Sequence, residues 1–97
     1  MNNKIILPLV FLGTVTTACA TAPVQEMSDA RQTIRSAEEA GAARYSLQHL
    51  RQAQQLIERA ELSLEAGAYF DARRFALDAR DEAILAREKA LAQESNR

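Results

Sequence analysis

Alanine recurs at Ala72, Ala76, Ala79, Ala83, Ala86 and Ala90. The steps alternate between four and three residues, so these methyl groups fall on one stripe of an α-helix. Alanine is the best helix former, and a stripe made only of it lets a second helix approach closely, near the low end of the roughly 8–10 Å packing range. The chain supplies that second helix just upstream. Leu47, Leu50, Ala53, Ile57, Ala60 and Leu64 form an apolar face, widened by Leu56 and Tyr45. Gly67 lies between the two stripes. Folding back at Gly67 pairs Leu64 with Ala72, Ala60 with Ala76, Ile57 with Ala79, Ala53 with Ala83 and Leu50 with Ala86. Every pair keeps the same sum of residue numbers, so one register satisfies all of them and a slip breaks them together.

The rest of the chain agrees with a helical reading. From Val24 onward there is no proline, and the only glycines are Gly41 and Gly67; glycine favours the position just past a helix end. The expected fold is all-α, a small three-helix bundle. Its helices run over about 24–40, 46–66 and 69–93, and the last two form a long antiparallel hairpin of about 30 Å at 1.5 Å per residue. Met27, Ala30, Ile34 and Ala37 give the first helix a face to pack on the second helix or across both. Ser46 is the expected N-cap of the second helix. Ser28 is an alternative cap for the first, which would then start later. Asp71 lies in the first turn of the third, where a negative charge suits the helix dipole.

The third helix has a second stripe. Phe70, Leu77, Ile84 and Leu91 recur every seven residues, well round from the alanines, and Arg73, Arg80 and Arg87 run beside them with the same period. Two readings are open. The stripe is a candidate partner-binding ridge with basic flanks, suited to another copy, an envelope protein or anionic lipid headgroups. Alternatively the first helix covers it, with the arginines snorkelling over it or pairing with carboxylates.

The N-terminal segment has a different character. MNNKIILPLVFLG carries one charge, Lys4, and residues 5–13 are almost wholly apolar before Thr14 to Thr17 turn small and mildly polar. A short basic start, a brief apolar core and small residues afterwards are the layout of a secretory signal peptide. The core is shorter than the roughly 20 residues of a spanning helix. Cys19, the only cysteine, follows within a few residues. One reading is a lipobox: residues 1–18 are removed, Cys19 is lipidated, and 19–23 tether a helical domain over 24–97. Thr16 departs from the Leu usual three places before such a cysteine. The other reading is ordinary cleavage after Ala20 or Ala22, since Ala18-Cys19-Ala20 and Ala20-Thr21-Ala22 both fit the small-x-small rule. Ala20, rather than Asp, follows the cysteine, which by the sorting rule of enteric bacteria favours the outer membrane, periplasmic face, over the inner one.

Charge and composition exclude several classes. A formal net charge of −1 is no footprint for nucleic acid, which needs a clear basic excess. One cysteine forms no intrachain disulfide. His49, the only histidine, has no partners at ligand spacing and is expected on the flank of its helix, so no metal site is expected. Asp78, Asp81 and Glu82 are expected on a solvated face. Asp78 and Glu82, four apart, repel weakly, while Arg74 has Asp71 and Asp78 at helix-neighbour spacing. Ser46 and Ser63 lack an activating histidine, and there is neither a nucleophile elbow nor a phosphate loop. No catalytic residue and no cofactor is expected; the chain is not read as an enzyme.

The run from Gly41 to Ala90 resembles a bacterial envelope family carrying a short alanine-rich helical domain of unknown function. The resemblance rests on Gly41-Ala42-Ala43 with Tyr45, on the residues around Leu56, Ala60 and Leu64, on the Gly67-Ala68-Tyr69 turn, on Ala72, and on the run from Ala79 to Ala90. It covers about Met27 to Ala92. Leu47 stands where the family often has a proline. Members often sit on lipoproteins, sometimes ahead of an outer-membrane-protein-A-like, peptidoglycan-binding domain; none follows Arg97 here, and contact with peptidoglycan stays open. The resemblance implies an envelope lipoprotein and supplies no catalytic residues. The expected function is a lipid-anchored, non-catalytic structural or protein-interaction module, with the membrane, an envelope protein or a second copy as partners. The alternative is a soluble periplasmic helical binding or chaperone-like protein.

Overall fold

The computed structural model describes residues 21–96. Four helices follow in order: α1 (Val24–Glu39), α2 (Ala42–Tyr45), α3 (Leu47–Glu65) and α4 (Tyr69–Ser95). No strand occurs among the described residues. The three long helices lie where the apolar spacing puts them. The single turn of α2 fills what the sequence reading left as a break after Gly41. It begins where Gly41, at φ +95°, accepts the amide hydrogens of Arg44 and Tyr45 at 2.9 and 3.0 Å.

The hairpin closes at a Schellman motif. Gly67 has φ +78°. Its N–H donates to the Leu64 carbonyl at 3.0 Å and the next N–H, of Ala68, reaches back to the Ser63 carbonyl at 2.8 Å. Carbonyls left over at the end of α3 are thereby satisfied. The turn needs the left-handed conformation that glycine adopts without strain.

The six seam alanines, Ala72 to Ala90, are the buried residues of α4, each with 0% exposure, whereas Ala92 is exposed. Facing them on α3 are Leu50, Ala53, Ile57 and Ala60, also buried. Leu56, Leu64 and Tyr45 pack against this core while partly exposed. An alanine contributes only one methyl group, about 0.8 kcal/mol when buried. The energetic advantage of the seam therefore lies in the close packing it permits over its length.

Helix α1 contributes Met27, Ala30, Ile34 and Ala37 and packs across both partners. Its direction is set by side-chain contacts. Arg31 pairs with Glu61 at 3.0 Å and Glu38 accepts from Gln54 at 3.1 Å, so α1 runs antiparallel to α3. Arg73 pairs with Glu26 at 3.3 Å and Arg87 donates to Ser36 Oγ at 3.4 Å, so α1 runs parallel to α4.

Some expectations need correction. Ser46 occupies the N-cap position of α3 but makes no capping bond; its Oγ is buried without a partner. Its backbone, at φ −151° and ψ 47°, links α2 directly to α3, and its N–H donates to the Ala42 carbonyl at 2.8 Å. Ser28 does not start α1, which begins at Val24 behind the buried Pro23. Ser28 lies inside the helix, where its Oγ accepts from Gln32 at 3.5 Å. Leu47 is on the margin of the α3 face and is 40% exposed. Conversely, Phe75 packs against the core. It lies three residues after Ala72 and four before Ala79, a spacing that puts it beside the seam.

Ala79→Leu introduces three heavy atoms where the residue is wholly buried. Overpacking of this kind costs about 1–3 kcal/mol. The expected result is a lower urea midpoint with little change in the slope of the transition.

Candidate functional site

The α4 residues outside the seam divide into a flank covered by α1, a flank beside α3, and an outer face. On the α1 flank stand Arg73, Arg80 and Arg87. Arg73 is held by Glu26, and also reaches the Thr21 carbonyl at 3.5 Å; Arg87 is held by Ser36. Among the described residues Arg80 has only its neighbour Asp81, at 3.3 Å through Nη2, while its Nε is buried without an acceptor there. Asp29, Gln32, Thr33 and Ser36 of α1 line a shallow hollow against Arg80 and Arg87.

Beyond this arginine column runs the ridge of Phe70, Leu77, Ile84 and Leu91. Phe70 is 69% exposed and Leu91 50%. Leu77 and Ile84 are half-buried without joining the core cluster. Helix α1 thus engages the arginines and leaves the ends of the apolar stripe in water. The pairing of Arg73 with a carboxylate accords with the structural reading of the basic column, whereas the exposure of Phe70 and Leu91 leaves the two ends of the stripe uncovered. A helix with one buried face normally turns a polar face to solvent. Here α4 is apolar on two faces.

On the α3 flank, His49 Nδ1 lies 2.7 Å from Glu82 Oε1, both part-buried. Sequence spacing placed His49 on the helix flank but did not join it to Glu82; the two lie 33 residues apart and meet only through the hairpin. Arg74 makes no ion pair with Asp71 or Asp78 among the described residues. A local pair adds only a few tenths of a kcal/mol, too little to order exposed side chains on its own.

Among the described residues no group of three or more His, Cys, Asp or Glu side chains is placed to hold a metal ion. No helix among them is long and apolar enough to cross a membrane. Another surface hollow lies along α3 between Leu47 and Gln55 and is open to solvent. Cys19 lies outside the described residues.

The family model described as "Domain of unknown function (DUF4398)" matches residues 25–97, so the chain belongs to that family. No curated protein matches, and no solved structure does.

If the ridge lies outside the core, Phe70→Ser and Leu91→Ser should leave stability within about 0.5 kcal/mol of the parent. Ala83→Asp buries a charge in the seam, where an unpaired carboxylate is strongly unfavourable, and should unfold the chain. Urea titration followed by circular dichroism checks both.

Proposed function

We propose that this DUF4398 chain is a lipoprotein anchored through Cys19 to the periplasmic face of a bacterial outer membrane, and that it acts by contact rather than by catalysis. The observation that carries the reading is the position of Cys19. The lone cysteine of the chain follows a short apolar core and precedes the start of α1 at Val24 by five residues. An unpaired thiol on an exported protein is a liability; a lipidated one is an anchor. The residues between Cys19 and Val24 then form a short leash that keeps the bundle near the membrane surface.

The non-catalytic part of the reading is supported by what the side chains do. The acidic residues of α4 lie in no enclosed cavity that would push paired pKa values apart, as acid–base work requires. His49 is engaged by Glu82 on the flank of the hairpin. What the bundle offers to a partner is surface, chiefly the outer face of α4. The module would serve as a scaffold, adaptor or structural element within reach of the membrane; a peptidoglycan contact is a further option within this reading.

A second reading has its own observation. Thr16 replaces the usual Leu ahead of Cys19, and two ordinary cleavage sites overlap the same stretch. Cleavage there would release a soluble periplasmic binding or chaperone-like protein.

Fractionation separates the two. Cys19→Ala is expected to move the chain from the membrane to the soluble fraction, and the intact mass of the parent should correspond to an acylated N-terminal Cys19. Retention of the variant in membranes, or an unmodified N-terminus at Thr21 or Pro23, would falsify the anchor.

A further inference from the structure

The ridge on α4 has unlike flanks. Three residues after each of Phe70, Leu77 and Ile84 stands an arginine: Arg73, Arg80 and Arg87. Four residues after each stands the other flank: Arg74, Asp81 and Glu88. The first flank is basic beside these three residues, and beside Leu91 the two flanking positions are Glu94 and Ser95. The second flank is acidic at Asp81 and Glu88. Asp81 has a side chain 63% exposed, and exposed Glu88 makes no ion pair among the described residues.

We propose that a second copy of this chain docks on this ridge, with the two α4 helices parallel about a two-fold axis running along them. A seven-residue apolar repeat is the period that keeps one seam facing a partner helix when two helices supercoil. In a parallel pair each ridge residue meets its own copy: Phe70 with Phe70, Leu77 with Leu77, Ile84 with Ile84 and Leu91 with Leu91. The two-fold then sets the basic flank of one helix against the second flank of the other. Arg80 meets Asp81 and Arg87 meets Glu88, each contact occurring twice. The mismatch of Arg73 with Arg74 falls at the N-terminal end, where Glu26 already holds Arg73. An antiparallel pair with Phe70 opposite Leu91 would instead set like flanks together, so that Arg80 faces Arg87 and Asp81 faces Glu88, and only Arg73 with Glu94 is a match. The charge pattern therefore selects the parallel arrangement.

This deepens the reading of a contact-acting module by naming its partner, and the charge argument does not depend on the anchor. The two ideas are nevertheless compatible. Thr21 lies beside Arg73 at the N-terminal end of α4, so a parallel pair presents both leashes at the same end. One ridge of four side chains makes a small interface, and confinement of both copies to one membrane raises their effective concentration.

Disulfide trapping in cells tests the proposal with the full chain. Leu77→Cys and Leu91→Cys are introduced singly; Gln55→Cys on exposed α3 surface and the parent chain, with only Cys19, are controls. A disulfide needs Cα atoms within about 7 Å. Each ridge variant alone should give a covalent dimer after mild oxidation, and the controls should not. Adding Arg80→Glu should lower the yield several-fold, and Arg80→Glu with Asp81→Arg should restore it. Monomer from both ridge variants, with helicity retained, overturns the proposal. So does a dimer that forms only when Leu91→Cys is co-expressed with Phe70→Cys, which marks antiparallel pairing, or a ridge crosslinked only to a different protein. Leu91 is exposed enough that its variant should fold even if Leu77→Cys does not. Failure of the anchor is distinguishable: the ridge variants would then be recovered soluble and still dimeric, whereas failure of the ridge leaves a membrane-bound monomer.

Discussion

Close approach between α3 and α4 is the constraint on which the rest of the molecule depends. The alanine stripe of α4 permits it, and the apolar face of α3 fills the opposite side. A chain of this size has a small core to draw on, and individual alanine methyl groups contribute little. Stability must come from many closely spaced contacts made at once. That makes the structure sensitive to the volume of each seam residue and to the register in which the helices meet. The Schellman turn at Gly67 joins α3 to α4, and Leu50 and Ile57 of α3, with Met27 and Ile34 of α1, supply the bulk that the alanines lack.

Using alanine on the buried face has a consequence for the other faces. The large apolar residues of α4 are placed elsewhere on the helix. Phe75 goes beside the seam and packs inward. Phe70, Leu77, Ile84 and Leu91 go outward. Helix α1 lies against α4 on the arginine side, with Glu26 and Ser36 holding Arg73 and Arg87, and stops short of covering the stripe. Packing of the core thus produces a surface that a lone bundle does not need, which is the physical basis for reading α4 as both a structural and a contact element.

The α3–α4 hairpin was legible because its signal is periodic and internally consistent: two stripes, a glycine between them, and one register for all pairs. The first helix was equally plain in Met27, Ala30, Ile34 and Ala37. Features that depend on tertiary placement were not. Whether α1 covered the ridge depended on its lateral position, which four buried residues on one face do not determine. Arg73 has no carboxylate at helix-neighbour spacing in α4, and its partner Glu26 comes from α1. His49 reads as a flank residue and Glu82 as part of a solvated face; Glu82 is instead part-buried against His49, and only the hairpin brings the two together. Ser46 looked like a cap by residue type, but the short helix α2 draws its backbone N–H to Ala42 and leaves its hydroxyl unpartnered. Phe75 was within reach of sequence reasoning, since its spacing from Ala72 and Ala79 is that of the seam itself. Of the candidate site, the ridge and its arginines were visible as a seven-residue period; the exposure of its two ends was not.

The central claim is that one alanine-lined register joins α3 to α4. Methyl contacts across the hairpin test it directly in the unaltered chain. Nuclear Overhauser effects between Ala60 and Ala76, and between Ala53 and Ala83, should appear together in one spectrum. Contacts displaced by a heptad, from Ala60 to Ala83 and from Ala53 to Ala90, would contradict it.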